Sequence, residues 1–245
     1  MSSERDAAAP ILDVRGLVKR YGANTVLNGV TLSVAPGEIR GLIGPNGAGK
    51  TTLFNVINGV QPPDSGTISF DGSAIAGRSL EQIARRGIGR TFQVARVFSE
   101  MTLFENLMVP CVAHRVSWQD ATDRANAMLA AARLEHLKDK PAIEISGGQR
   151  KLLEFVRVMM VEPKLVLLDE PFNGINPVLI EILMEMILKA NRELGTGFAL
   201  ISHELPHVSE LCHSVTVLTG GKVLTTGRPE DVRNDPEVIT AYLGR

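Results

Sequence analysis

The sequence predicts an α/β fold built around an open sheet with parallel strands. Three observations carry that expectation. A glycine-rich stretch, Gly44-Pro45-Asn46-Gly47-Ala48-Gly49-Lys50-Thr51, lies between a short apolar run and a segment that reads as a helix. A second apolar run, 164–170, ends in two carboxylates, and a third, 197–203, follows a helix-length segment. Apolar runs of this length, bounded by Pro or Gly, suit strands covered on both faces.

The elements follow in chain order. Ile11 to Lys19 alternates and meets Tyr21-Gly22, and Val26 to Val34 ends at the turn Ala35-Pro36-Gly37-Glu38. Both read as antiparallel strands. Ile39 to Ile43 reads as a short buried strand, Thr52 to Ile57 as a helix start, and Gly66 to Phe70 as a further strand before Asp71-Gly72. From Ser79 to Leu137 the character changes. Ser79 to Arg86 has helical periodicity with arginines in its last turn, Thr102 and Glu105 stand at capping-box spacing, and 118–135 gives an Ala-rich amphipathic helix. Ser146-Gly147-Gly148-Gln149 precedes an amphipathic run from Arg150 to Val161. After the strand at 164–170 come a long helix over 177–194, the strand at 197–203, a closing hairpin over 215–227 and a terminal helix over 229–242. The expected organisation is a disordered leader over residues 1–10 and one domain over 11–245. Within it, 11–78 and 163–245 form an α/β core with an antiparallel β subdomain, and 79–162 form an inserted helical subdomain.

Composition narrows the function classes. The 245 residues are 44% hydrophobic and 22% charged, with a formal net charge of -1. Nothing there argues for a nucleic-acid partner held by bulk electrostatics. Cys111 and Cys212 are far apart and outside any C-x-x-C spacing, which disfavours a disulfide framework or zinc site and fits a reducing cytosol. No apolar run approaches the ~20 residues that span a bilayer. Met1 to Asp6 carries acids and no apolar stretch, unlike a signal peptide. A protein of this kind that serves a membrane must dock on another chain.

The chemistry begins at Gly44 to Thr51, which fits the phosphate-binding loop G-x-x-x-x-G-K-[ST]. Small residues let successive N–H groups curl around an anion. Lys50 supplies a point charge for the β/γ-phosphates, and the Thr51 hydroxyl can ligate Mg²⁺. Strand, loop and helix in this order aim a helix N-terminus at the phosphates, with Thr52 continuing that helix. Asp169 and Glu170 lie at the C-terminal end of a parallel strand, the edge where open α/β sheets bind ligands. Asp169 suits a direct or water-mediated Mg²⁺ role, and Glu170 suits general-base work on a water. Ser146 and Gln149 satisfy a capping box, so a structural role is available. The adjacent Gly147 and Gly148 equally allow an anion to approach the helix N-terminus.

The order phosphate loop, Gln93, Ser146-Gly147-Gly148-Gln149, Asp169-Glu170, His203 resembles the ATP-binding subunits of ABC transporters, over nearly the whole chain from Ile11 to Gly244. The resemblance implies the cassette fold of that family: a phosphate-loop NTPase with a RecA-like core, an N-terminal antiparallel β subdomain and an inserted α-helical subdomain. It implies ATP and Mg²⁺ as ligands and hydrolysis of ATP. It places Tyr21 against adenine, Gln93 on Mg²⁺ or the attacking water, and His203 on the γ-phosphate. It makes Ser146 to Gln149 a signature segment that completes the ATP site of a second subunit, head to tail. Two positions depart from the common pattern. Asn176 stands where many members have Asp, and Glu204 follows the switch histidine where Asp is usual.

Residues 85–93, Arg-Arg-Gly-Ile-Gly-Arg-Thr-Phe-Gln, and 97–107 resemble the LivG-type subunits of branched-chain amino acid importers, as does the ending Pro236 to Gly244. Subunits for urea or amides and the lipopolysaccharide-export ATPase share much of this pattern. The implied partners are a second ATP-binding subunit, identical or related, transmembrane permease subunits and, indirectly, a solute-binding protein. The implied location is the cytoplasmic face of the membrane. Val97, Phe98, Met101 and Phe104 are apolar beside Gln93 and are candidates for the permease docking surface. Competing classes are a soluble ABC ATPase of the iron–sulfur assembly type and a nucleotide-binding module without hydrolysis. Glu170, Gln93 and His203 argue against the latter.

Overall fold

A computed structural model describes residues 9–243. The leader expected over residues 1–10 lies, apart from Ala9 and Pro10, outside the described residues. Two sheets organise the chain. The first is antiparallel, with β1 (Leu12–Tyr21), β2 (Asn24–Val34), β4 (Ser65–Phe70) and β5 (Ser73–Ala74) in the order β2-β1-β4-β5. The second contains β3 (Ile39–Ile43), β6 (Ile88–Arg90), β7 (Leu165–Asp169), β8 (Gly197–Ile201), β9 (Ser214–Thr219) and β10 (Lys222–Gly227), in the order β10-β9-β3-β8-β7-β6. Its pairs are parallel except β9–β10, the antiparallel hairpin expected at 215–227.

The parallel sheet divides two hydrophobic clusters, and strand alternation explains how. Along β7, Val166 and Leu168 pack into one cluster, and Leu165 and Leu167 into the other. Along β8, Phe198 and Leu200 face the first, and Ala199 and Ile201 the second. Both faces are covered, so these strands read as continuous apolar runs. Each buried Val, Leu, Ile or Phe among them contributes roughly 1.5–3 kcal/mol relative to exposure. The first cluster also takes residues of α3 (Leu103–Ala113), α4 (Trp118–Ala131), α5 (Gly147–Met159) and α6 (Pro177–Leu194). The second takes the antiparallel sheet and α1 (Lys50–Ile57).

Helix ends follow the sequence signals. Ser146 with Gln149 and Thr102 with Glu105 both form reciprocal capping boxes. In α6, Asn176 accepts from the Leu179 N–H at 3.0 Å, Pro177 takes the first turn, and Gly195 closes the helix at φ 66°.

Four expectations change. Ile88–Arg90, expected inside the helical block, is the edge strand β6 paired to β7. The short α2 (Leu80–Ala84) buries Ile83 in the same cluster as Ile88, so both belong with the sheet. The helix expected over 118–135 stops at Ala131, and Arg133 at φ 55° ends its direction. The terminal helix over 229–242 is two helices, α8 (Pro229–Arg233) and α9 (Pro236–Leu243), because Pro236 cannot supply the N–H that would continue α8. A helix the sequence reading missed, α7 (Leu205–Leu211), follows β8.

Candidate active site

The loop between β3 and α1 has the backbone that its glycines permit. Gly44 sits at φ 145°, and a Cβ there would lie 2.0 Å from the Leu218 carbonyl oxygen. Gly49 sits at φ 102°, where a Cβ would meet Leu27 at 2.8 Å and the Val26 oxygen at 2.9 Å. Helix α1 starts at Lys50, two residues earlier than the sequence indicates, so Lys50, Thr51 and Thr52 form its first turn. The free N–H groups of that turn point at the loop. Lys50 is 8% exposed, and its Nζ donates to the carbonyls of Gly44 (2.7 Å) and Pro45 (3.1 Å). Burial lowers its pKa, and Glu170 and Asp169 oppose that shift.

A cleft of about 400 Å³ runs along this loop. Asn46, Gly47, Ala48, Gly49, Lys50, Thr51 and Thr52 line it, together with Gln93 and Glu170. Asn24, Val26 and Ile201 complete it. The sequence reading did not name Asn24 or Val26, because nothing local marks a β2 residue as part of a site.

Asp169 ends β7 at 2% exposure. Its Oδ2 lies 3.3 Å from Arg90 Nη2 at the end of β6, and both side chains are buried. Burial pushes the Asp169 carboxyl above its ordinary range, with Arg90 and the Thr51 hydroxyl pulling the other way. Asp169 Oδ1 is buried without a hydrogen-bond partner. A solvent-shielded oxygen without a partner, on a carboxyl that meets the Thr51 hydroxyl, fits a hard cation. Gln93 and Thr51 line the cleft, whereas Asp169 does not. One carboxylate with neutral oxygens suits Mg²⁺, which keeps water and phosphate ligands.

Glu170 holds the left-handed conformation at φ 49°, a cost of order 1–3 kcal/mol for a non-glycine residue. Its N–H donates to the Ile201 carbonyl at 3.0 Å, and its own carbonyl accepts from Lys151 Nζ at 2.8 Å. This turn brings its carboxylate to the cleft, where Oε2 lies 2.9 Å from His203 Nδ1. The loop carrying Gln93 is held from α5. Glu154, 1% exposed, accepts from the Phe92 N–H (3.2 Å) and the Arg96 N–H (2.8 Å). Arg90 and Glu154 both escaped the sequence reading, since each gains its meaning from a segment more than fifty residues away.

Other candidates sit apart. Ser146 to Gln149 does not line the cleft. Ser146 Oγ accepts from the Gln149 N–H at 3.3 Å, so the capping role is realised. Gly148 is required by packing, because a Cβ there would meet Leu179 at 2.9 Å. Gly147 is exposed and a Cβ would meet nothing within 4 Å, so packing leaves this end of the helix open. Tyr21, 44% exposed, also stays out of the cleft lining; its hydroxyl bonds Gln61 and Lys19 Nζ lies 5.6 Å from its ring centre. Asn176 caps α6. Glu204 uses its extra reach on His207, 2.8 Å away.

A second groove, about 360 Å³, includes Phe92, Phe98, Val109, Pro110, Arg157 and Val158. Phe98 is exposed, and Asn106 fixes its backbone through both the Phe98 N–H (2.9 Å) and carbonyl (3.0 Å). Val97 and Phe104 instead pack against the core, so the apolar residues of 97–104 divide between the two roles.

The family model described as ABC transporter matches residues 27–173. The model for the branched-chain amino acid ATP-binding cassette transporter matches residues 222–245. The chain is 38% identical to the high-affinity branched-chain amino acid transport ATP-binding protein BraF of Pseudomonas aeruginosa, over 96% of this chain and 98% of that protein. It is 36% identical to the lipopolysaccharide export system ATP-binding protein LptB of Escherichia coli, over 95% of this chain and 97% of that protein. A crystal structure of an ATP-binding cassette of an ABC transporter in its ADP conformation superposes with a TM-score of 0.86 at 32% identity, covering 97% of this chain and all of that one.

Proposed function

The chain belongs to the ABC transporter ATP-binding proteins, and from that premise we propose that its ATPase activity drives import of branched-chain amino acids. The observation that carries the reading is the cleft that Glu170 lines together with Lys50 and its loop. The match over residues 222–245 favours branched-chain amino acids over a lipopolysaccharide cargo, although the overall identities to BraF and LptB are nearly equal.

Gly44 to Thr52 bind the triphosphate, with Lys50 leaving its loop carbonyls for the β/γ-phosphates. Thr51, Gln93 and Asp169 hold Mg²⁺, which offsets phosphate charge when bound. Glu170 takes the proton of the attacking water, and His203, already 2.9 Å from it, orients that carboxylate and reaches the γ-phosphate. Tyr21 stacks on adenine after moving from its contact with Gln61. Ser146 to Gln149 act in a second copy or a related subunit, closing its nucleotide head to tail. The exposed Ser146–Gly147 end supports this, since it lies outside the cleft of its own chain. Among the described residues no helix is long and apolar enough to cross a membrane, so the work passes to permease subunits, for which the Phe98 groove is the docking surface. Those subunits put the chain at the cytoplasmic face, and a solute-binding protein delivers the cargo to them.

Steady-state turnover and nucleotide titration test the site. Glu170→Gln is expected to lower kcat by about 10²–10⁴-fold while ATP still binds. Lys50→Ala is expected to lose nucleotide binding. Turnover of Glu170→Gln at the wild-type rate removes Glu170 from the base role. Uptake of labelled leucine into vesicles carrying this chain and its permeases tests the cargo, and ATP-dependent uptake must be absent with Glu170→Gln.

A further inference from the structure

We propose that Glu154 is a positioning residue for Gln93, tying the loop that carries it to the helix whose exposed end carries Ser146. The inference rests on the role given to Gln93 above. Both Glu154 oxygens are engaged, Oε2 by the Phe92 N–H at 3.2 Å and Oε1 by the Arg96 N–H at 2.8 Å. Those two amides bracket Gln93 in the sequence, so one carboxylate holds the turn at both of its ends. Arg96 adds to the clasp, its guanidinium lying 4.0 Å from the Phe92 ring centre.

The helix presenting Glu154 grips more than this loop. One turn earlier, Lys151 Nζ donates to the Glu170 carbonyl (2.8 Å) and the Asn173 carbonyl (2.7 Å). One turn later, Arg157 donates to the Arg96 carbonyl. Residues three apart share a helix face. A single face of α5 therefore holds the backbone of both Gln93's loop and Glu170, while its first turn presents Ser146 and Gly147 to solvent. Any displacement of α5 moves the two cleft residues with it, and Glu154 is the link on the Gln93 side. A buried carboxylate is a costly way to fill space. An ionised one is, however, the stronger acceptor for two amides at once.

A double-mutant cycle on the full chain tests this, using ATP turnover, ATP affinity and Tm for Gln93→Ala, Glu154→Gln and the pair. Glu154→Gln is expected to lower kcat about tenfold with ATP affinity within about twofold, and the pair to be no slower than Gln93→Ala alone. Wild-type turnover in Glu154→Gln overturns the proposal, as do losses that multiply in the pair. Loss explained entirely by a smaller folded fraction also overturns it. Should Glu154→Gln fold poorly, Glu154→Asp retains the charge and is expected to recover part of the turnover; a folded Glu154→Asp that turns over no faster than Gln93→Ala contradicts the role. Wild-type turnover in Gln93→Ala identifies the failure as that of the Gln93 role itself.

Discussion

Burial of a single carboxyl sets a pH response at Glu154. Burial pushes its pKa above the ordinary 4.5, against the amides of Arg96 and Phe92 and the charges of Arg157 and Lys151. A carboxyl with a higher pKa when folded binds its proton more tightly in the native state. Its contribution to stability therefore grows as pH falls through the native pKa, and is complete below the unfolded value. Glu154→Gln cannot take up that proton. The gap in Tm between wild type and Glu154→Gln is expected to widen in favour of wild type as pH falls toward the unfolded value of about 4.5. Asp169 shifts the same way, but it is present in both proteins and cancels in the difference. Thermal melts across that range check this, and a constant gap rules out the shift. The contrast with the phosphate loop shows what a sequence reveals at this scale. Gly44 to Thr51 is legible because its chemistry lies in consecutive residues. Arg90, Glu154, Asn24 and Val26 are not, because each joins the site across a strand pairing or a helix contact that no local pattern encodes.

Among the elements, α6 shows how one side chain sets a helix start. The Asn176 side chain caps the helix by accepting from the Leu179 N–H. Asn176→Ala is expected to cost about 1 kcal/mol, or roughly 2–4 °C in Tm, while Asn176→Asp preserves stability. Equal melting of all three proteins would mean the cap carries no weight. Two elements were legible to the residue: α6 matches 177–194, and β3, though short, matches 39–43. The failures have different reasons. β6 is three residues with a glycine in the middle, too short for alternation to show, and only β7 beside it makes it a strand. The α8–α9 break follows from Pro236, a signal present in the sequence and overridden by the helical periodicity around it.

For the whole molecule, the cleft and the exposed start of α5 are separate surfaces of one chain. In the proposed closure of two copies, each start meets the other's cleft and ATP lies in the interface. Sedimentation of Glu170→Gln is expected to give a dimer with ATP and a monomer with ADP, because hydrolysis no longer removes the ligand that favours the closed pair. A monomer under both conditions contradicts closure of identical copies and leaves a related subunit as the partner. The same separation has a genetic consequence for a pair of identical copies. An allele disabled at Lys50 still offers a sound α5 start, and an allele disabled at Ser146 still offers a sound cleft. Expressed together in one cell, the two nulls would assemble one working site per mixed pair and complement each other. Two different nulls within the phosphate loop would not.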